Sequence, residues 1–540
     1  MLRSGRLAIY LGSVLAFCVC ANAQLVRKDF DSLGAAEIAS LRTAFAAMMA
    51  LDAGKVMDSA DGGKNAINKD LNRLGWRYQG FIHGVPEYRN NMGETKSYVV
   101  TGAPANAAWD SAVLDSCEHS TWFFLSWHRM ELHFFEKIVQ AMAGNNNVTV
   151  PYWNFGKGGG AKLPSAFRNP ANATNALWWP NRNAGVNDPN DANATALPAE
   201  AVKTLDAFSK TAFFTNKFDE GPMSFGGGAG GSRHAPMGAG TGAIENVPHN
   251  SVHGAVGNGN AESLSDAGGA GLDPIFWPIH VNIDRAWACW QLNHPGTEPK
   301  ADAWLKTTKF SFIDIQAGKA MKVEMTGQQI IDYAGKLNYT YGNLDDTCKD
   351  FQGTKPKVVI SSAEPVRLRE SVESERVERP LGASVTTHTV LGSQPVAVSI
   401  PLSEATEARM KALVAGDASP GSIVLTVGGL SVERATGASY GIFVELPEGS
   451  IPSGESDSYV TELTFFGVGH HRHTDENQDN RRSYDITDVV GQLLRTGRWQ
   501  GGQLVVTFAN STAWETDRAQ LPSAPPEARA HFSYVALTVK

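Results

Sequence analysis

Cysteine is scarce in this chain, with five in 540 residues, too few for a disulfide scaffold. A basic excess is also missing. Lys and Arg number 47 against 55 Asp and Glu, a net charge of −8, so nothing offers to neutralise a phosphate backbone and nucleic acid is not an expected partner. Past the first twenty or so residues no run is apolar for the ~20 residues that a spanning helix needs, so no membrane partner is expected either. No Cys-x-x-Cys and no His-Glu-x-x-His occurs, which removes the common dithiol and zinc-protease signatures. A composition of 42% hydrophobic and 19% charged residues argues against disorder. At ~100–200 residues per domain the length predicts two to four domains.

What is present begins with an address. Arg3 and Arg6 precede a mostly apolar stretch, Leu7 to Val19, and then Ala21-Asn22-Ala23. This reads as a secretory signal peptide over 1–23 with an A-x-A cleavage site. The expected location is therefore secreted or periplasmic, with an N-terminal membrane anchor as the alternative. Cleavage removes Cys18 and Cys20 and leaves Cys117, Cys289 and Cys348, an odd number for an oxidising compartment.

From 24 to 352 the periodic segments have helical spacing, notably 35–51, 125–142 and 275–292. Long loops rich in Gly, Asn and Pro separate them. Residues 353–385 carry mixed charge and little apolar content and read as a linker. Beyond, the period becomes two: 396–400, 423–427, 439–445, 459–466, 504–508 and 532–539 alternate or run apolar between turn residues. That pattern predicts an all-β sandwich over 386–540, with one helix at 485–495 ended by Gly497.

Histidines carry the candidate chemistry. His128 lies in a strongly amphipathic helix. His119, nine residues earlier, falls on the opposite face of a continuous helix, so the two rings converge only if His119 sits in the turn leading into it. His249 and His253 are four apart, and Pro248 suits a first helical position. His280 and Asp284 share a face. Singly, each histidine is more often a core residue than a ligand.

Together the residues match two signatures. His119, Phe124, Leu125, Trp127, His128, Arg129, Leu132 and Glu136 fill H-x4-F-L-x-W-H-R-x2-L-x3-E. Asp273, Pro274, Phe276, Trp277, His280 and Asp284 fill D-P-x-F-W-x2-H-x3-D. In these the chain resembles the tyrosinase, or polyphenol oxidase, family over roughly 26–345, ending at Tyr339-Thr-Tyr341.

The resemblance implies a type-3 pair of copper ions in a four-helix bundle, and oxidation of phenolic substrates by O2 to catechols and o-quinones. It assigns His119 and His128 to the first copper and His249, His253 and His280 to the second. His83, the one histidine in 24–118, stands where the family has its remaining ligand; His133 and His234 are the competitors. Imidazole suits copper, and a set without carboxylate or thiolate stays cationic. Each ring's second nitrogen should be held by a carbonyl or carboxylate.

Fungal-type members imply a thioether from Cys117 to His119. In that case Cys289 and Cys348 remain as a disulfide candidate, with three free or packed thiols as the alternative. Glu245 and Asn250 stand where the family holds a water that takes a monophenol's proton; helix capping is the bland reading of Glu245. Ile279 departs from the His-His that many members carry. The sandwich resembles, more loosely, the extension of plant-like enzymes, which implies a latent form opened by a protease cutting the 353–385 linker. His470, His471 and His473 read as a solvated loop. A catechol oxidase lacking monophenolase activity, a haemocyanin-like oxygen carrier and, weakly, a zinc hydrolase are the alternative functions.

Overall fold

A computed structural model describes residues 24–52, 71–89, 95–97, 107–218, 223–232, 238, 240–351, 381–415, 421–433, 439–468, 480–511 and 529–540. The signal segment 1–23, His234, residues 353–380 of the linker and the histidines at 470–473 lie outside the described residues.

The helices with apolar periodicity are there: α1 (Ala35–Ala50), α2 (Trp76–His83), α3 (Phe124–Ala143), α4 (Ser251–Val256) and α5 (Phe276–Asn293). Fourteen of the 20 residues of α3 and 15 of the 18 of α5 are buried, so their stability comes from packing on most sides rather than from propensity. α3 stops at Gly144, whose φ of +61° lets its N–H turn back to Ala141 and Gln140 carbonyls. α5 is preceded by Asp273, whose carboxylate accepts from the Ile275 N–H at 3.1 Å and pairs with the buried Arg182 at 2.6 Å. The aspartate of the second signature is thus a structural anchor.

A buried ion lattice locks these helices together. Arg27 donates to Glu136 of α3 at 3.1 and 3.3 Å and to Asp284 of α5 at 3.3 Å. Arg129 of α3 donates to Asp284 at 2.5 Å, and the hydroxyls of Tyr339 and Tyr341 donate to it as well. Burial alone would raise the Asp284 pKa, but Arg129 and Arg27 hold it below the usual carboxylate value. Three signature positions, Arg129, Glu136 and Asp284, together with the Tyr-x-Tyr pair, therefore hold the frame. Cys289 of α5 is bonded to Cys348, with Cα atoms 5.5 Å apart.

Two four-stranded antiparallel sheets form the C-terminal sandwich. With β1 (Leu381–Val390), β2 (Val396–Pro401), β3 (Ile423–Gly428), β4 (Ser439–Val444), β5 (Tyr459–Thr464), β6 (Arg482–Asp485), β7 (Gln503–Asn510) and β8 (His531–Val539), the orders are β5-β4-β7-β2 and β6-β3-β8-β1. Alternate residues such as Leu425, Val427, Ile442, Leu463, Val506 and Leu537 fill the space between them. The predicted 485–495 helix occurs as Thr487–Arg495, followed by Gly497 at φ +70°.

Four elements depart from the sequence reading. β1 opens at Leu381, so the last five residues read as linker are strand. Along the strand Gly, Ser, Thr and His stand at exposed positions, so its start resembles a solvated stretch. Strand β6 and the helix Glu404–Ala415 were not expected. Nor was the hairpin Phe310–Gln316/Lys319–Met325 on the helical region.

The outer face of the β5-containing sheet is also buried, because it lies on the helical region. β5 packs against 200–202 and 245–250. Glu462 sits in this seam, fully buried, accepting from Tyr459 Oη at 3.1 Å and from the Ser511 hydroxyl. Burial pushes its carboxyl from 4.5 up to about 7, despite the Ser511 and Ser439 hydroxyls, with Glu200 across the seam adding to the rise. The folded state thus holds a proton that the unfolded chain releases. The stabilisation is full below the unfolded value and lost as pH rises through the folded one. Glu462→Gln, which cannot ionise, is expected to flatten the fall in stability between pH 4.5 and about 7, by on the order of 1 kcal/mol per pH unit. Thermal melts across that window check it; an unaltered slope refutes it.

Candidate metal centre

Six histidines from separate elements meet in one buried cluster. His83 is the last residue of α2. His119 sits in the turn five residues before α3, as the spacing required. His128 belongs to α3 and His280 to α5. His249 and His253 come from the 245–250 turn and α4, a path broken at Val247 (φ −136°, ψ 124°), so that Pro248 starts the productive turn. All six are 0–3% exposed.

Their ring nitrogens divide by role. Nδ1 of His83 lies 3.1 Å from Ala267 O, that of His119 3.1 Å from Glu245 Oε1 and that of His128 2.8 Å from Phe124 O. Nδ1 of His249 lies 2.8 Å from Asn250 Oδ1 and that of His253 2.8 Å from Leu264 O. These acceptors require the Nδ1–H tautomer, which turns each Nε2 lone pair inward. There the lone pairs face one another: Nε2 of His83 and His119 are 3.3 Å apart, as are those of His253 and His280. Nε2 of His128 and His249 have no protein partner. Burial holds His128, His249 and His280 well below the usual histidine pKa and brings His253 to about 3. These four rings are neutral, and lone pairs packed this way fit cations between them.

The donor atoms fall into overlapping groups: His83, His128 and His280; His249, His253 and His280; and His83, His119 and Cys117. His280 is within reach of both main trios. The buried Cys117 lies beside His83 and His119. His133 is part of none of these groups; its ring packs edge-on to Phe134 instead.

An aromatic shell closes the cluster. Phe276 lies 4.1 Å from His280 and 4.8 Å from His83; Phe124 lies 4.7 Å from His249. Glu245 is fully buried and accepts from the Ser120 N–H at 2.8 and 3.1 Å. Burial pushes its carboxyl up to about 8 against the Ser120 N–H and the charge of Arg482. Asn250 Nδ2 has no protein partner. Ile279 is packed in the core beside His280.

Sequence reasoning gave Phe466 no role. Its ring comes from the sandwich and lies 4.4 Å from that of His253, 5.6 Å from His249 and 5.9 Å from His119. Gly467, at φ +79°, supplies the turn that presents it.

Residues 73–293 match the family model described as the common central domain of tyrosinase. A tyrosinase of Hahella sp. is 28% identical over 468 residues, covering 83% of this chain and 91% of that protein. Residues 73–293 are a tyrosinase central domain. A chloroplastic polyphenol oxidase of Malus domestica is 24% identical over 407 residues; the chain spans 62% of its length. Latent apple tyrosinase and latent aurone synthase each superpose with a TM-score of 0.55 at 17% identity. Both cover 96% of this chain, and the match spans 97% and 90% of theirs, a likeness of fold. Residues 377–520 match a domain of unknown function. With this domain the protein is a copper oxidoreductase whose cofactor is a pair of copper ions and whose substrates are phenols and O2. No helix among the described residues is long and apolar enough to cross a membrane.

Proposed function

We propose that this tyrosinase-family protein is exported by its N-terminal 23 residues and made in a latent form. It then hydroxylates monophenols to catechols and oxidises catechols to o-quinones. The observation that carries the site assignment is the convergence of six Nε2 atoms, five of them backed by an acceptor on Nδ1. His83, His119 and His128 hold one copper, and His249, His253 and His280 hold the other. When bound, the copper pair supplies two-electron chemistry with O2. The protein's own residues supply the rest. The Nδ1 acceptors fix ring orientation, Phe124 and Phe276 exclude water, and Glu245 with Asn250 positions a water that takes the phenol's proton.

Cys117 forms a thioether to His119, replacing an S–H and a ring C–H by one C–S bond. The two electrons and two protons released go to O2. The division is 24–352 for catalysis and 381–540 for cover, with the protease-sensitive linker between them.

Metal analysis and oxidation of a monophenol and a catechol, with the linker intact and cut, test this reading. Two coppers per chain and quinone from both substrates are expected. Catechol turnover alone leaves a catechol oxidase, and oxygen binding without quinone leaves a carrier. Glu245→Gln is expected to lower monophenol hydroxylation at least ~10-fold more than catechol oxidation; equal losses in the two rates remove its role as a base.

A further inference from the structure

The sandwich reaches the metal centre by a second route besides Phe466. Arg482, the first residue of β6, is 2% exposed and points out of the sandwich into the helical region. Its Nη1 donates to Thr241 Oγ1 at 2.7 Å, while Nε and Nη2 have no protein partner. Thr241 spends its own proton on the Gly238 carbonyl at 2.8 Å. Its oxygen therefore accepts from Ser120 Oγ, 2.9 Å away. The Ser120 backbone N–H in turn donates to both oxygens of Glu245, and Glu245 Oε1 accepts from His119 Nδ1.

Ser120 is where this chain of contacts matters. It has φ +55°, a left-handed conformation that a non-glycine residue keeps only when its surroundings impose it. The surroundings are the Thr241 hydroxyl on one side and Glu245 on the other. The 240–242 loop lies so close that a Cβ on Gly240 would stand 2.2 Å from the Ser120 carbonyl oxygen. The loop itself is tied to the sandwich by the guanidinium, and a buried charged donor makes a stronger bond than a neutral one.

We infer that Arg482 is a positioning residue for the metal centre: through Thr241 it holds Ser120 in the conformation that aims its N–H at Glu245 and sets Glu245 against His119. The sandwich both covers the site and shapes it, so a chain opened at Phe466 with the sandwich still docked differs chemically from a chain that has lost the sandwich. This rests on the proposed role of Glu245 only for its effect on turnover.

Amide hydrogen exchange on the copper-loaded full chain tests it. Arg482→Met and Thr241→Val should each speed exchange at the Ser120 amide about tenfold, the size expected for losing one buried hydrogen bond. Amides of the sandwich core, such as Val427 and Leu463, should stay protected. Thr241→Val leaves the sandwich untouched and decides alone if Arg482→Met does not fold. Unchanged exchange at Ser120 in Thr241→Val overturns the inference. So does a change confined to Arg482→Met and accompanied by loss of protection across the sandwich, which is simple undocking. In a Phe466→Ala background the same substitutions should lower the ratio of monophenol to catechol turnover at least ~3-fold with KM for catechol unaltered; an unaltered ratio also counts against it. If the copper oxidase reading were wrong, catechol turnover would be absent throughout while the Ser120 exchange still responded, so the two failures separate.

Discussion

Replacing His280 with alanine is expected to lower bound copper from two to one or fewer per chain and to bring catechol oxidation below ~1% of the parent; loss of a mere hydrogen-bonding partner of a ligand already costs ~10–100-fold. His280 is the ring with the widest reach. Its Nε2 lies 3.3 Å from that of His253, and it belongs to both main trios of donor atoms. It also stacks on His128 at 4.4 Å between centroids. Its loss removes a donor and opens space beside Phe276 and His128, so the remaining rings lose their alignment. The fold should survive, because Asp284, one turn further along α5, keeps its bonds to Arg27, Arg129 and the two tyrosines. Circular dichroism and metal analysis on one sample make the distinction. Full activity with two bound coppers would reject the ligand assignment.

Shortening Phe466 to alanine should raise catechol oxidation by the uncut chain at least ~10-fold. The phenyl ring occupies a place 4.4–5.9 Å from three of the histidine rings, and a phenol is the same size. Substrate and Phe466 therefore compete for one space, and the sandwich, held by its large seam, favours the side chain. Truncation removes the competitor without detaching the domain, although some docking strength goes with it, since burying a Phe side chain contributes ~1.5–3 kcal/mol. Cutting the linker should give a comparable rise, and doing both should add little. If cutting activates and Phe466→Ala does not, the cover lies elsewhere on the sandwich. If neither activates, the protein is not latent.

Legibility in the sequence followed from how local each feature is. The helices Ala35–Ala50, Phe124–Ala143 and Phe276–Asn293 were placed to within about one residue because apolar spacing reports a face directly. The strands of the sandwich core were legible for the same reason, with a period of two. Leu381–Val390 was partly lost to the linker because its exposed face carries Ser, Thr and His. Glu404–Ala415 was missed because its apolar side is short, with only Thr406 and Met410 buried. The histidines were visible as signatures, and the turn geometry of His119 followed from a nine-residue offset. Arg129, Glu136, Asp273 and Asp284 stood in the same signatures, but nothing local showed that they build an ion lattice and a helix cap.

The chemistry was readable along the chain: which residues bear imidazoles, on which elements, and that no carboxylate or thiolate signature competes with them. That information is local, because ligand spacing is a property of a helix or a turn. What surrounds those imidazoles is a matter of packing between distant segments. The acceptors that turn five of the six Nε2 atoms inward come from positions as distant as Ala267 for His83 and Glu245 for His119. Phe466 and Arg482 arrive from a separate domain, more than two hundred residues along the chain from the nearest histidine that each reaches. Such partners are chosen by the docking of two folded surfaces, and spacing along the chain carries no record of that docking.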